Sequence, residues 1–377
     1  MKKPQLQSGM DDRFKAALHE IAARADAAEK DPRGLAPEVA MLAKAGILTA
    51  CLPVHDGGQG LATSPEASST LFDVLRRIGR ANLSLGRLFE GHVNAVKLVS
   101  LYGGAMAVAE MARNVSEGGL LGVWGANGRK PLRYVAARGS YHLSGEKIFA
   151  SGLGVVRLAV VTMHASETPD TPPQLALIEV TEKQRQDATH WDVTGMRATM
   201  SGRFDFTDLR ISDAQCLGEP GIYEREPHFE GGIWRYCAVH LGGVEALLLH
   251  WRETLLSRGR FDDSFQLSRY ARAVSLTRAM ASLLRETAAK LPSDSVTDTS
   301  LIEKFVTSAL LARQFSEEVC LEVLALAEKS LGTSAFRPGP LERIRRDLSL
   351  YVRQAVPDEK LERAGRVLAK MEGAPSW

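Results

Sequence analysis

The sequence predicts an α+β protein with an N-terminal helical domain, a small central antiparallel β domain and a C-terminal four-helix bundle. Three observations support this fold class. Apolar residues recur at helical spacing in the first third of the chain, short β-branched and aromatic runs follow, and long helical patterns fill the remainder. We therefore predict three domains, covering residues 1–117, 118–220 and 221–377.

The N-terminal domain is predicted from several short amphipathic helices. Apolar residues recur every three or four positions, and Gly and Pro lie between the runs. The predicted helices cover residues 14–30, 37–46, 68–78, 83–101 and 106–115.

The β domain is predicted from a change of pattern after about residue 117. Short runs rich in β-branched and aromatic residues are separated by Gly, Pro, Asp and Thr, as in small antiparallel sheets. The runs are LLGVWG, LRYVAARG, SYHLSGEKIFASG, LAVVTMH and QLALIEV. A strand-like pattern continues through GMRATMSGRFDFTDLRIS to Asp213, and the Gly- and Pro-rich segment LGEPGIYEREP marks the next boundary.

The C-terminal domain is predicted from four long helical patterns, whose lengths suit an antiparallel bundle. They cover residues 229–258, 266–291, 300–331 and 341–354. Pro357 interrupts the pattern before a short terminal helix at residues 358–371, whose acidic opening suits a first helical turn.

The bulk composition is typical of a globular protein with a sizeable core. The 377 residues are 45% hydrophobic, and 47 Lys and Arg nearly balance 45 Asp and Glu. The formal charge of +2 provides no basic footprint for nucleic acid or an anionic membrane. The N-terminus lacks the apolar stretch of a signal peptide and no apolar run could span a bilayer, so we expect a cytoplasmic protein.

Neither the cysteines nor the histidines are arranged as a metal site. Cys51, Cys216, Cys237 and Cys320 are scattered without CxxC pairs, which favours reduced thiols. No histidine pair has the i, i+4 spacing with a nearby Glu that zinc enzymes use, and His240 is better explained as a core residue. We expect no metal.

Other catalytic and nucleotide-binding motifs find no support. The glycine run Gly57, Gly58 and Gly60 lacks both a strand-to-helix context and a GK[ST] ending, so it is best interpreted as a turn. The sequence has no dinucleotide-binding Gly-x-Gly-x-x-Gly after a strand and no Gly-x-Ser-x-Gly nucleophile. Spacing alone identifies no general base among the carboxylates.

Four segments, taken in order, resemble the acyl-CoA dehydrogenase family, and the resemblance spans nearly the whole chain. LPVHDGGQGL at residues 52–61 is similar to the family's LP-x-x-x-GG-x-GL segment. GSYHLSGEKIFASG and GMRATMSGRFDFTDLRISDAQCLGEPG resemble two segments of its β domain, and RDLSLY at residues 346–351 resembles the RD-x-x-x-Y element of its last long helix. The resemblance implies the acyl-CoA dehydrogenase-like fold.

The resemblance also implies FAD, bound between the β domain and the bundle with its ring edge against Phe149, Ala150 and Ser151. Ser151 matches a hydroxyl near flavin N5, and Phe149 matches an aromatic that packs on the ring. From the residues alone, Phe149 could equally be a core residue and Ser151 a turn residue. Trp124 lies on the preceding strand and is a further candidate flavin contact.

A second part of the implied cofactor site lies in the bundle. Arg258 or Arg260, with Gln266, resembles the residues that reach the pyrophosphate and adenine of a neighbouring subunit's FAD, and a guanidinium suits pyrophosphate. Gly332 and Thr333 resemble residues near the adenosine, although Gly332 could simply end a helix. The resemblance therefore implies a homodimer or homotetramer.

The residue that would remove the substrate's α proton is missing from its family position, which Ala355 occupies. Trp234 occupies the alternative position that some relatives use, so Glu230, Asp358 and Glu359 are the remaining candidate bases. We therefore expect an FAD-dependent oxidoreductase of this superfamily with altered chemistry or substrate. The substrate would be a small molecule, with an acyl thioester as the family's own class.

Two alternatives remain open. A flavin-dependent monooxygenase or hydroxylase on the same fold would use reduced flavin and oxygen, and would need no α-proton base. A non-catalytic paralogue would keep the fold as a binding or assembly subunit. Oxygen consumption with reduced flavin would identify the first, and absence of flavin binding would favour the second.

Overall fold

The computed structural model describes residues 6–168, 170–354 and 356–371. Helices precede and follow a central β region. The helices are α1 (Ser8–Ala28), α2 (Ala36–Lys44), α3 (Ile47–Ala50), α4 (Ser68–Ala81), α5 (Leu83–Tyr102), α6 (Ala105–Ser116), α7 (Trp234–Ser257), α8 (Ser264–Ala289), α9 (Thr299–Leu331), α10 (Pro340–Tyr351) and α11 (Pro357–Leu368). The strands are β1 (Leu120–Trp124), β2 (Arg133–Ala137), β3 (Ser140–Ser144), β4 (Glu146–Ala150), β5 (Val156–Ala165), β6 (Gln174–Glu179), β7 (Gln186–Asp187), β8 (Gly202–Asp205), β9 (Arg210–Ser212) and β10 (Cys216–Leu217).

The β region forms two sheets. The larger has the order β10-β6-β5-β2-β3-β9, with β1 also paired to β5, and the smaller has the order β4-β8-β7. The prediction of an antiparallel domain is wrong for part of the larger sheet, because β1 and β2 both pair parallel with β5. Parallel neighbours need a long connection, and the chain passes through β2, β3 and β4 between β1 and β5.

Helix α5 runs through the centre of the molecule. It packs against β1 on one side and against α4 and α7 on the other. Most of its residues are buried, including the charged side chains Glu90 and Lys97 and the imidazole of His92. A buried helix with several polar side chains must pair them internally, so α5 carries part of the polar interior described below.

The contact between α4 and α7 depends on two glycines. A Cβ at Gly242 would lie 2.0 Å from the carbonyl oxygen of Arg76, and one at Gly79 would lie 2.4 Å from the carbonyl oxygen of Val239. Only glycine lets the two helix backbones approach this closely. This contact brings the start of α7 next to α5.

Two helix boundaries differ from the predictions for clear reasons. Helix α7 begins at Trp234 rather than 229, because residues Glu230–Gly232 form a 3-10 turn whose two glycines are poor helix formers. Helix α1 begins earlier than predicted, at Ser8, although its first turns are largely exposed. The four cysteines are free, and no helix in the described ranges is long and apolar enough to cross a membrane.

Candidate functional site

The end of strand β4 carries an exposed aromatic ring. The pairing of β4 with β8 is irregular between Lys147 and Ala150, and Phe149 adopts a left-handed backbone conformation with φ 51°. Its side chain is 59% exposed, and its ring meets the ring of Trp191 edge-on at 6.3 Å. A left-handed backbone is costly for an aromatic residue, so such a residue suggests a functional constraint. Phe149 is therefore not a core residue.

Ser151 ends a chain of buried hydroxyl groups. Its Oγ lies 2.8 Å from the Oγ of Ser201, which lies 2.7 Å from the Oγ1 of Thr199. Thr199 donates in turn to the carbonyl oxygen of Met196 at 2.7 Å. Because the end of this chain is a fixed acceptor, the chain gives the Ser151 hydroxyl a defined orientation.

Trp124 supports this strand from behind. Its indole Nε1 donates to the carbonyl oxygen of Ser151 at 3.1 Å, and its ring packs on Phe204 at 5.6 Å between centroids. Trp124 and Ala150 are almost fully buried. The structure thus brings Trp124, Phe149, Ala150 and Ser151 together, with Phe149 as the exposed member.

Lys147 lies two residues before Phe149 on β4 and is fully buried. Its Nζ donates to the carbonyl oxygen of Gly125, to Oδ1 of Asn127 and to Oγ1 of Thr162, at 2.7–2.9 Å. Burial lowers the pKa of Lys147 to about 7. The ammonium group fixes the segment after β1 against β4, which explains a lysine in the GEKIFASG segment.

Two of the segments quoted above meet in the structure. The backbone N–H of Met196 donates to Oδ1 of Asp347 on α10 at 2.5 Å, and Arg346 donates to the carbonyl oxygen of Thr194. A Cβ at Gly195 would lie 2.3 Å from the carbonyl oxygen of Arg346. Burial raises the pKa of Asp347 to about 6. The Arg-Asp pair of α10 therefore holds the segment that carries Thr199 and Ser201.

A cavity of about 180 Å³ lies between α5 and the start of α7, and we call it the α5–α7 cavity. Its lining includes the polar side chains of Arg87, Glu90, Asn94, Arg235, Tyr236 and Lys360. Glu90 accepts from Nε of Arg235 at 3.2 Å, and Nη2 of Arg235 donates to Asn94 at 2.9 Å. Val123 of β1 also lines the cavity, next in sequence to Trp124.

The candidate bases differ in their exposure and in their partners. Glu230 lines the cavity, but Lys360 donates to its Oε1 at 3.1 Å and Arg363 donates to its Oε2. Asp358 and Glu359 are exposed in the first turn of α11. The family base position, Ala355, lies outside the described residues. Glu230 alone of these carboxylates faces the cavity, and both of its oxygens are paired with cations.

The candidate phosphate-binding residues lie at the far end of the bundle. Nη1 of Arg258 donates to Oγ of Ser334 at 2.8 Å, beside Gly332 and Thr333. Gly332 has φ 58° at the end of α9 and is exposed, as are Arg260 and Thr333. Arg258 and the Gly332 turn therefore form one exposed cluster.

Gln266, unlike the exposed Arg258 and Gly332, is buried. It is 2% exposed, its Oε1 accepts from the hydroxyl of Ser330, and its Nε2 donates to the carbonyl oxygen of Ser330 at 3.5 Å. The indole of Trp251 donates to the same hydroxyl at 2.7 Å. Both ends of the Gln266 amide are thus bonded within its own chain.

Sequence reasoning missed the polar lining of the α5–α7 cavity, above all Arg87, Glu90, Asn94 and Arg235. A signal was present, because charged and amide side chains interrupt the otherwise apolar helix LSLGRLFEGHVNAVKLVSLY. In the described ranges, no group of three or more His, Cys, Asp or Glu residues could hold a metal ion.

Comparison with curated proteins finds partial sequence matches, and no protein-family model matches the chain. Dibenzothiophene monooxygenase from Mycolicibacterium goodii is 28% identical over 194 residues, which are 48% of this chain and 44% of that protein. The enzyme of the same name from Rhodococcus erythropolis is 28% identical over 216 residues, which are 53% and 49% of the two chains. The chain spans about half the length of the curated relatives it matches.

Comparison with solved structures covers almost the whole chain. TdsC from Paenibacillus sp. A11-2, in complex with FMN and indole, aligns with TM-score 0.84 and 20% identity over 97% of this chain and 98% of TdsC. KijD3 with FMN and a dTDP-linked keto sugar aligns with TM-score 0.81 and 19% identity, over 99% and 97% of the two chains. The 3-HSA hydroxylase from Rhodococcus sp. RHA1 aligns with TM-score 0.79 and 19% identity, over 96% of both chains. The chain therefore has the acyl-CoA dehydrogenase-like fold in the form found in TdsC, a dibenzothiophene monooxygenase.

Proposed function

We propose that this protein is a flavin-dependent monooxygenase that takes up reduced flavin, and that it is not an acyl-CoA dehydrogenase. The observation that carries the proposal is the end of β4, where the exposed ring of Phe149 stands beside the oriented hydroxyl of Ser151. The named curated relatives and two of the named structural neighbours, TdsC and the 3-HSA hydroxylase, are monooxygenases or hydroxylases, which supports the same choice. Of the expectations from the sequence, the monooxygenase alternative is thus favoured over the main one.

The residues at β4 fit a flavin ring. Phe149 offers an exposed aromatic face, which a planar ring system would cover and stack against. The Ser151 hydroxyl donates its one proton along the chain to Ser201, so its oxygen is left to accept from a ring N–H, such as the N5–H of a reduced flavin. Trp124 and Lys147 hold this strand and the segment after β1 in place.

Bound reduced flavin would supply the two electrons with which one atom of O2 enters the substrate and the other leaves as water. The chain's own part is to hold the ring at β4, to exclude water and to place the substrate. We assign the last task to the α5–α7 cavity, since Val123 in its wall and Trp124, which donates to Ser151, are consecutive residues of β1 whose side chains face opposite sides of the strand.

We further propose FMN as the bound flavin, in place of the FAD expected from the sequence. Two of the structural neighbours are described with FMN. Gln266, expected at the adenine, is bonded at both ends within its own chain, whereas Arg258 is exposed and can meet a phosphate. A guanidinium binds two phosphate oxygens at once. Binding of the flavin phosphate by one subunit and of the flavin ring by another remains a prediction.

Acyl-CoA dehydrogenation is disfavoured by the candidate bases. Glu230 could accept a proton only after losing its two cationic partners, and Ala355 has no proton acceptor in its side chain. A monooxygenase needs no base at either position.

The test uses reduced flavin without a chosen substrate. FMN-loaded protein reduced by NADH and a flavin reductase should consume O2, releasing hydrogen peroxide when no substrate is present. A compound that is oxygenated should lower the peroxide yield and acquire one ¹⁸O atom from ¹⁸O2. Bleaching of the oxidised, FMN-loaded protein by any acyl-CoA under anaerobic conditions would contradict the proposal and would point to Glu230, to be checked with Glu230→Gln.

A further inference from the structure

The size of the α5–α7 cavity limits what it can hold. Its volume of about 180 Å³ is below the roughly 300–1,000 Å³ of drug-sized ligand sites. A molecule of the size of one substituted aromatic ring matches this volume. Val123 of β1 lines the cavity, and the next residue, Trp124, donates to the carbonyl oxygen of Ser151, which follows β4.

The α5 side of the cavity has more positive than negative charge. Glu90 is the carboxylate there, and its two oxygens face two guanidinium groups, Nε of Arg235 at 3.2 Å and Nη1 of Arg87 at 3.4 Å. One carboxylate is shared by two guanidinium groups, so one of the two positive charges is not balanced by Glu90.

The opposite side of the cavity does not reverse this balance. There Glu230 is paired with Lys360 and Arg363, and Glu226 shares Arg363 at 3.0 Å. His228 also lines the cavity, and burial lowers its pKa to about 4, with Lys97 adding to the effect. His228 is therefore uncharged at neutral pH, and the surplus positive charge remains on the α5 side.

Two donors at the cavity lack an acceptor among the described residues. They are the Nε of Arg87 and the hydroxyl of Tyr236, whose oxygen faces the guanidinium of Arg313 but whose proton is unpaired, and both atoms are buried. Burial raises the pKa of the Tyr236 hydroxyl well above its ordinary value, so it keeps its proton. An unpaired buried donor costs on the order of 1–3 kcal/mol, a cost that an acceptor in the cavity would remove.

We propose that the α5–α7 cavity binds a small organic anion through its carboxylate, with Arg87 and Tyr236 as donors. The proposal rests on the proposed function, since it takes this cavity as the substrate site beside the flavin. A carboxylate matches the planar donor fork of arginine and would complete the charge of the α5 side. A neutral apolar ring would leave both donors unpaired.

A carboxylate ligand would differ in charge from the compounds named for the relatives of this chain. Dibenzothiophene and indole are neutral and apolar or nearly so, and neither supplies an acceptor for two buried donors. The paired charges of Glu90 and Arg235 would also have to be covered by apolar surface, which is unfavourable. We therefore expect such compounds to bind more weakly than a carboxylate of the same size.

The test compares benzoate with benzamide, which has the same shape and no charge. Isothermal titration of each into the protein, with and without FMN, should give at least tenfold tighter binding of benzoate. The preference should fall to within about threefold in Arg87→Gln and weaken in Tyr236→Phe. The control Arg113→Gln removes an exposed arginine of α6 and should leave the preference unchanged.

Equal affinity for benzoate and benzamide in the parent protein would overturn the proposal, as would failure of both to bind. Retention of the full preference in Arg87→Gln and in Tyr236→Phe would also overturn it. If Arg87→Gln does not fold, Tyr236→Phe and the parent preference still decide. Failure of the proposed function would appear separately, as absence of FMN binding or oxygen use, because the titrations require neither reduced flavin nor turnover.

Discussion

Phe149 is the residue whose role the structure changes most. A hydrophobic residue in a strand pattern is buried by default, but the irregular pairing of β4 with β8 turns this ring outward. The sequence cannot reveal this, because a strand irregularity depends on the partner strand. The hydroxyl chain behind Ser151 was equally hidden, since Thr199 and Ser201 lie about 50 residues further along the chain.

The first prediction separates a flavin-stacking role of Phe149 from a packing role. Phe149→Ala should weaken FMN binding severalfold, because the stacking face is lost. It should leave the free energy of unfolding of the flavin-free protein within about 0.5 kcal/mol, because the side chain is largely exposed. Val135→Ala, at another exposed strand position, is the control for both measurements. A loss of 3 kcal/mol or more in urea denaturation would show that Phe149 is a core residue after all.

The second prediction concerns Lys147. Lys147→Met should lower the free energy of unfolding by about 1–3 kcal/mol, because the acceptors on Gly125, Asn127 and Thr162 lose the hydrogen bonds from the ammonium group. The exposed control Lys183→Met should change it by less than about 0.5 kcal/mol. Urea denaturation at pH 6 measures both. Equal stability of Lys147→Met and the parent would mean that the ammonium group does not fix the segment after β1.

At the scale of elements, the sequence predicted most helices and strands but not their partners. Long amphipathic patterns identified α5, α7, α8 and α9, since helical periodicity is a local property. The parallel pairing of β1 and β2 with β5 is not local, and the runs of residues that form these strands are compatible with either direction. The docking of α10 on residues 194–200 likewise joins two segments about 150 residues apart.

The third prediction tests this docking through Asp347. Its pKa is raised from the ordinary 3.8 to about 6, so the folded protein binds its proton more tightly than the unfolded chain. The stability that Asp347 contributes is therefore fully present below pH 4 and is lost as the pH rises through 6. Asp347→Asn keeps an oxygen that accepts from the N–H of Met196 but has no titrating group, so its stability should not fall in this pH range for this reason.

The measurement is urea denaturation of Asp347→Asn and the parent at pH 4.5 and pH 7.5. The stability of the variant relative to the parent should be higher at pH 7.5, by on the order of 1–3 kcal/mol. The same relative stability at both pH values would show that Asp347 titrates normally and that the docking is not as described.

For the whole molecule, burial of uncharged histidines has a consequence for acid stability. Burial lowers the pKa of His92 and His228 to about 4 and that of His240 to about 3. Each contributes stability that is present above pH 6.5 and is lost as the pH falls through the folded-state pKa. The pH dependence of stability that these three histidines cause is opposite in sign to that of Asp347, and three such groups outweigh one.

The fourth prediction follows from this balance. The free energy of unfolding should decrease by several kcal/mol between pH 7 and pH 5. His240→Phe keeps an aromatic ring against Tyr351, 4.4 Å away between centroids, and should reduce this decrease by about 1–2 kcal/mol. His55→Gln removes an exposed histidine and should not change it. A decrease that is identical in the parent and in His240→Phe would contradict the prediction.

The central claim of the account is that the chain binds a flavin at β4, and titration with FMN tests it most directly. We predict that one FMN binds per chain, that its visible spectrum changes on binding, and that the Tm of the protein rises with FMN concentration. FAD serves as the comparison and should bind no more tightly. If saturating FMN and saturating FAD both leave the flavin spectrum and the Tm unchanged, the chain is not a flavoprotein and the account is wrong.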